Sequence, residues 1–284
     1  MLMSREVLQN VLVEKMAGSE VEKFCEFCGA KLEQVYFKKG NSIIFAPAHQ
    51  PCSCSRAKEQ LLKLEELKAK EEEEKSRLAA EEKKQKRINN LLGKSGMSKR
   101  ALMCKFSNYD ITPQNRASIK LCKNYVSNFE EITKEKRNGL FLSGECGVGK
   151  SHLVYAIANE LITERKTSVI CMTMIDLLLK LKSSYAENKT EEAILKIYEN
   201  CSLLIIDDLG KEKPTEWALQ MIYAIIDRRY NALKPVIITT NYGAKELIEK
   251  FTINDDSSTA EAIVDRLFEM CQYLFIDGDS YRKR

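Results

Sequence analysis

The segment Gly144-Glu145-Cys146-Gly147-Val148-Gly149-Lys150-Ser151 fits the pattern G-x-x-x-x-G-K-[ST], and its flanks decide the fold. Leu140-Phe141-Leu142 before it is a short apolar run that reads as a buried strand; residues 150–163 after it read as a helix. Strand, glycine loop and helix in that order form a phosphate-binding site. Glycines let backbone N–H groups close around phosphate oxygens at the positive end of a helix dipole. Lys150 would reach the β- and γ-phosphates, and the Ser151 hydroxyl would ligate Mg²⁺. The expected cofactor-binding set is Gly144, Glu145, Cys146, Gly147, Val148, Gly149, Lys150, Ser151 and His152.

From about residue 96 onward, apolar runs alternate with helical patterns, which predicts an α/β domain with a parallel sheet flanked by helices. Strands are expected at 140–143, 169–173, 203–206, 236–240 and 274–276. Helices are expected at 117–129, 150–163, 175–185, 191–200, 215–230 and 260–271. Each crossover is long enough to carry a helix, as parallel pairing requires.

Two of these strands end in polar tips. Leu203-Leu204-Ile205-Ile206 runs into Asp207-Asp208, where Asp207 would hold Mg²⁺ and Asp208 would orient or deprotonate a water, unless both merely cap a helix. Val236-Ile237-Ile238-Thr239-Thr240 ends at Asn241, which either hydrogen-bonds a γ-phosphate or lytic water or simply forms a turn. No N-K-x-D guanine signature is present, since Asn188-Lys189-Thr190-Glu191 ends in Glu, so ATP is favoured over GTP.

The first 55 residues read differently. Cys25-x-x-Cys28 and Cys52-x-Cys54 offer four thiolates on two turns, the pattern of one structural tetrahedral Zn²⁺. His49 is an alternative fourth ligand. Val35–Phe37 and Ile43–Phe45 around Lys39-Gly40-Asn41 read as two strands of a small zinc-ribbon-like module. So short a segment buries little core, and the metal would supply much of its folding energy. The other six of the ten cysteines read as core residues, except Cys146 inside the phosphate loop, where oxidation would disturb nucleotide binding.

Residues 56–95 are rich in Lys, Glu, Arg, Leu and Ala. Glu59/Lys63, Glu66/Lys70, Glu71/Lys75, Glu73/Arg77 and Glu82/Lys86 are i,i+4 pairs in the favourable order. Apolar positions are too sparse for a sustained coiled coil, so a solvated spacer helix ending near Gly93 and Gly96 is expected. The expected organisation is a zinc-binding module at 1–55, a charged helical linker at 56–95 and an ATPase domain at 96–284. The net charge of +4 excludes a wholly basic nucleic-acid coat. No apolar run of membrane length and no signal-peptide core is seen, which predicts a cytoplasmic protein without a membrane partner. Reduced cysteines suit that compartment.

The order of these motifs, with Asp265-Arg266-Leu267 and Ser280-Tyr281-Arg282 downstream, resembles the AAA+ ATPases of the DnaC/DnaI type, to which the IstB-like transposition ATPases are related. The resemblance covers about residues 100–284. It implies that Arg266 is an arginine finger for a neighbouring subunit, that Arg282 is a second sensor for its own phosphates and that Asn241 is the first sensor. It also implies that the cysteine module docks a helicase. Two departures matter. Asp208 stands where most AAA+ proteins carry Glu, which predicts slow hydrolysis, and the eight residues after the last expected strand leave no room for a helical lid.

The function so implied is loading of a hexameric replicative DNA helicase onto single-stranded DNA by an ATP-dependent oligomer. An IstB-type transposition ATPase and a zinc-dependent adaptor using ATP as a switch are the alternatives. Candidate DNA contacts are Lys180, Lys182 and Tyr185 within 176–185; Arg228, Arg229 and Tyr230 either form a second patch or cap a helix. Val7, Leu8, Val11 and Leu12 suggest a short amphipathic helix of unknown role.

Overall fold

A computed structural model describes residues 21–39, 42–186 and 190–281. The expected helix around Val7–Leu12, the turn residues Gly40-Asn41 and Arg282 lie outside the described residues. The chain divides into two units, Met1–Glu82 and Lys83–Arg284.

In the first unit, β1 (Lys23–Phe24) pairs antiparallel with β2 (Lys31–Leu32). The turn between them closes with Cys25 N–H donating to the Ala30 carbonyl at 2.8 Å and Gly29 N–H to the Cys25 carbonyl at 2.9 Å. Gly29 adopts φ +69°, a left-handed conformation that favours glycine. The second hairpin joins β3 (Gln34–Lys39) to β4 (Ser42–His49), with an irregularity between Gln34 and Tyr36. A long helix, α1 (Ser55–Lys94), then begins just after Cys54, whose carbonyl accepts from Lys58 N–H. Residues 58–87 of α1 are exposed, as its charged composition requires, and Lys63 pairs with Glu59 at 2.8 Å.

The character of α1 changes at Ile88, which is buried, with Leu91 and Leu92 packed against the same apolar cluster of the second unit. Beyond it, the Ser95 carbonyl accepts from Cys171 N–H at 2.8 Å. Short helix α2 (Lys99–Leu102) follows, then α3 (Arg116–Ser127) and α4 (Phe129–Ile132). The single helix expected at 117–129 is thus broken at Asn128, which leaves helical geometry at φ −109° and ψ +21° while its side-chain amide bonds the Asn124 carbonyl and side chain.

The nucleotide domain proper runs β5 (Gly139–Ser143), α5 (Lys150–Thr163), β6 (Val169–Thr173), α6 (Met174–Ala186), α7 (Glu191–Asn200), β7 (Leu203–Leu209), α8 (Glu216–Asn231), β8 (Val236–Thr240), α9 (Ala244–Phe251), α10 (Ser258–Met270) and β9 (Cys271–Phe275). The five strands are parallel in the order β6-β7-β8-β5-β9. Alternate residues feed two apolar layers. Phe141, Leu204, Ile206, Val236 and Ile238 pack on the side of α6 to α10, while Leu140, Leu142, Leu203, Ile205 and Ile237 pack on the side of α3 and α5. Because β8 lies between β5 and β7, its tip enters between the glycine loop and the paired carboxylates.

Three further elements depart from expectation: β7 runs on to Leu209, past the expected end at Ile206, and so contains Asp207 and Asp208. β9 lies at 271–275 rather than 274–276; as an edge strand it exposes Gln272, Tyr273 and Phe275, so its apolar run is interrupted. Helix α9 was not anticipated; it starts where the Glu246 side chain accepts from Gly243 N–H at 2.8 Å, and it buries Leu247 and Phe251.

Candidate nucleotide site and cysteine cluster

A cleft of ≈ 590 Å³ opens at the carboxyl ends of the strands, lined by the glycine loop, Thr173, Asp207, Asp208 and Asn241. Open parallel sheets bind ligands at this edge. The loop needs its glycines. A Cβ on Gly147 (φ +90°) would meet the Ser280 hydroxyl at 2.1 Å, and one on Gly149 (φ +96°) would meet the Tyr109 hydroxyl at 2.6 Å. Tyr281 N–H donates to the Gly147 carbonyl at 3.1 Å, and Tyr109 donates to the Val148 carbonyl at 3.2 Å, so the loop is gripped from two sides.

Lys150, at the first turn of α5, directs its Nζ to the Gly144 and Glu145 carbonyls and to Asn241 Oδ1 at 2.7 Å. Ser151 Oγ donates to Asp207 Oδ1 at 2.9 Å, and Thr239 donates to the same oxygen. Tyr155, one helical turn beyond Ser151, donates to Asp207 Oδ2. Burial, and then the Asp207 charge, push the Tyr155 phenol far above its ordinary range, so it stays a donor. The buried Asp207 carboxylate is therefore fixed by three hydroxyls.

Asp208 is set apart from Asp207 by its backbone. The pairing of β7 with β8 shifts between Ile206 and Leu209, and Asp208 adopts φ +58° with its N–H donating to Thr239 Oγ1 at 2.9 Å. A bulge of this kind re-aims a side chain. Its carboxylate is partly exposed and lies 3.5 Å from Lys211 Nζ.

Sequence spacing missed the opposite wall, formed by Ser98, Arg100, Ala101, Cys104, Tyr109 and Asp110. Cys104 accordingly lines the cleft rather than the core. Tyr109 stacks edge-on to His152 at 5.1 Å, and His152 Nε2 lies 3.0 Å from Asn108 Oδ1. His152 lines the cleft but is held by this wall, and no motif rule links residues so far apart.

Arg266 is not among the cleft residues. It lies on α10 against α8, pairs with Asp227 at 2.9 Å, bonds the Tyr223 hydroxyl at 3.1 Å and covers the Tyr223 ring. Arg229 is fully buried and donates to the carbonyls of Tyr198, Cys201 and Pro235, so it is unavailable to DNA. Arg228 pairs with Glu192 and Glu199, and Tyr230 donates to Glu269. That patch is structural. On α6, Lys182 stands 5.2 Å from the Trp217 ring centroid; the side chain of Tyr185 lies outside the described residues.

Cys25, Cys28, Cys52 and Cys54 bring their sulfurs within 4.8 Å of one another, with Cys25–Cys54 at 3.9 Å and Cys28–Cys52 at 3.4 Å. Tetrahedral Zn–S bonds of about 2.3 Å place sulfurs about 3.8 Å apart, so the donor set fits one Zn²⁺. Backbone N–H groups of Phe27 and Cys28 hold the Cys25 thiol down to about 7. The Ala30 N–H acts likewise on Cys28, yet the thiols of Cys52 and Cys25 leave it pushed up to about 12. Sulfurs this crowded do not all ionise without a cation among them. His49 is turned away, its Nε2 2.7 Å from the Val21 carbonyl.

A five-stranded parallel sheet with a glycine loop, a buried strand-end carboxylate and a polar residue between them defines a P-loop ATP-binding protein of the AAA+ type. The chain belongs to the family of IstB-like ATP binding proteins, whose model matches residues 53–284. It is 32% identical over 220 residues to the replicative helicase loader DnaC of Buchnera aphidicola subsp. Baizongia pistaciae, covering 75% of this chain and 84% of that relative. A solved structure of the DnaC helicase loader matches with TM-score 0.55 and 29% identity, over 63% of this chain and all of that one. One of DnaI matches with TM-score 0.55 and 26% identity, over 65% and 93%. Among the described residues, no helix is long and apolar enough to cross a membrane.

Proposed function

We propose that the protein loads a hexameric replicative DNA helicase onto single-stranded DNA, using ATP to drive its own assembly. The observation that carries this reading is the assembled phosphate site. Lys150, Ser151, Asp207, Asp208 and Asn241 converge on one phosphate site, whereas Arg266 stands outside it on α10. By the arginine-finger resemblance, Arg266 would leave Asp227 for a neighbouring subunit's γ-phosphate, so turnover would require an oligomer. The relatives named helicase loaders support the same reading.

In this reading the glycine-loop amides and Lys150 bind the phosphates, and the wall carrying Tyr109 receives the base. Ser151 and Asp207 would hold Mg²⁺, which neutralises charge on the β- and γ-oxygens. Asp207 needs no reorientation for that task because Ser151, Thr239 and Tyr155 already fix it. Asp208 accepts the proton of the attacking water, and Asn241 aligns that water with the γ-phosphate. The resemblance would make Arg282 the second sensor for phosphates of its own chain. The single Asp at position 208 reaches less far than Glu, and hydrolysis is slow, as suits a timer that releases the loader. The four cysteines hold one Zn²⁺ and form the helicase-docking module; the exposed part of α1 up to Glu82 tethers it to the ATPase domain.

The test is the mass of species formed by this protein and the replicative helicase of its host, with and without Mg-ATP. A complex that disappears on deleting residues 1–55 is expected. Absence of a complex in every nucleotide state, with tight duplex binding instead, would favour the transposition-type ATPase.

A further inference from the structure

A cavity of ≈ 660 Å³, close in size to the nucleotide cleft at ≈ 590 Å³, opens at the opposite edge of the sheet. Ser168, Ser202 and Pro235, which line it, directly precede β6, β7 and β8. Five cations converge there from separate elements: Arg87 on α1, Lys134 after α4, Arg165 and Lys166 after α5, and Lys234 after α8. Glu130 is the one carboxylate in the lining.

Two of the cations are engaged. Lys134 pairs with Glu131 at 2.8 Å, and Arg165 donates to the Ser127 carbonyl at 2.9 Å. Among the described residues, Arg87, Lys166 and Lys234 have no carboxylate partner. Lys166 and Lys234 are half-buried, where like charges repel more strongly than in bulk water. Their turns nevertheless hold them at the cavity. Lys166 adopts φ +53° and Leu233, just before Lys234, φ +52°, conformations that glycine takes at less cost. Thr167 N–H donates to the Leu161 carbonyl at 3.1 Å and Lys234 N–H to the Arg229 carbonyl at 2.9 Å, closing each turn. Helix carboxyl ends attract cations, which accounts for some of this charge. It does not account for Arg87, which lies well inside α1.

Cations gathered in one concavity with a single carboxylate call for an anion, and the charge selects its chemistry. Five cations against one carboxylate leave four positive charges. A carboxylate ligand brings one negative charge, whereas each phosphate group brings about 1.5 to 2. Two phosphate groups therefore match the lining. The hydroxyls of Thr167, Ser168 and Ser202 can donate to the same oxygens, and Leu91, Leu233 and Pro235 offer an apolar wall to the carbon part of a ligand.

We infer that this cavity is a second ligand site, separate from the nucleotide cleft, for a small molecule bearing two or more phosphate groups. By bridging Arg87 to the turns before β6 and β8, such a ligand pins the end of α1 to the sheet and stabilises the ATPase domain. Neither ATP hydrolysis nor helicase loading is needed for this binding.

The experiment titrates the full-length protein, its nucleotide cleft filled by excess Mg-ADP, with inorganic pyrophosphate in a calorimeter and follows the thermal midpoint. One pyrophosphate per chain is expected, with the midpoint raised by about 5–10 °C at a hundredfold excess over Kd. Lys166→Glu combined with Lys234→Glu should weaken pyrophosphate binding at least about tenfold and leave ADP binding unchanged. Arg87→Glu, on an exposed position of α1, should weaken it likewise without altering either turn. No pyrophosphate bound to the ADP-filled protein, or unchanged affinity in variants that still bind ADP, overturns the inference. Displacement of pyrophosphate by a thymidine homopolymer also overturns it, since the cavity would then belong to a nucleic-acid backbone.

Discussion

Lys150 Nζ lies 2.7 Å from Asn241 Oδ1, which joins the amine of the glycine loop to a strand tip far downstream in the sequence. The contact exists because β8 is inserted between β5 and β7, and it divides the labour of the site. In the proposed reading Lys150 would meet phosphate charge directly, so Lys150→Ala should weaken ATP binding by about ten- to a hundredfold, measured by titration calorimetry. Asn241→Ala should leave binding within about threefold but lower turnover about ten- to a hundredfold, the range of a lost water-orienting group. Equal losses of binding in both variants would contradict this division.

Tyr155→Phe removes one of the three hydroxyls on Asp207 without changing the shape of the site. The carboxylate then loses its fixed orientation toward Ser151. The Mg²⁺ concentration that half-saturates binding of a fluorescent ATP analogue should rise about three- to tenfold, the cost of roughly one ordinary hydrogen bond. An unchanged Mg²⁺ dependence would show that Ser151 and Thr239 suffice.

Arg229→Met leaves the carbonyls of Tyr198, Cys201 and Pro235 without their donor inside the core. Stability should fall by about 2–4 kcal/mol, read as a lower thermal midpoint. Single-stranded DNA affinity at a temperature where the variant is folded should not change.

The cysteine module should bind one zinc per chain, and Cys28→Ser or Cys52→Ser should abolish binding and loosen the first unit. Thiolates, not thiols, are the ligands, so protons compete with the metal. Cys25 already loses its proton at about 7, whereas Cys28 sits at about 12 and is ionised at neutral pH only when the metal displaces its proton. Zinc affinity should therefore fall steadily as pH drops from 8 to about 5, followed by a chromogenic chelator.

Much of this was legible in the sequence because it is written in local patterns. Residues 150–163, 169–173, 191–200 and 236–240 form the expected elements with the expected bounds, since each has a clear period or an unbroken apolar run. Lys150, Ser151, Asp207, Asp208 and Asn241 meet at one edge because each ends or follows a strand of the same parallel sheet. What escaped was set by tertiary contacts. The bulge that separates Asp208 from Asp207 arises in the pairing of β7 with β8, and Tyr155 reads as an ordinary helix residue until Asp207 is packed against it. The wall around Tyr109 follows no spacing rule, and the exposed residues of β9 disguise an edge strand. Arg229 looks like a surface arginine in sequence because its partners are carbonyls at the ends of other elements.

The central claim is ATP-dependent loading, and its most direct measurement is retention of the host replicative helicase on circular single-stranded DNA after gel filtration. The account predicts that wild-type protein with Mg-ATP places helicase on the circles, and that Lys150→Ala and Cys28→Ser each fail to do so. Equal helicase on the circles with and without the protein, while the protein binds ATP and zinc normally, would contradict it.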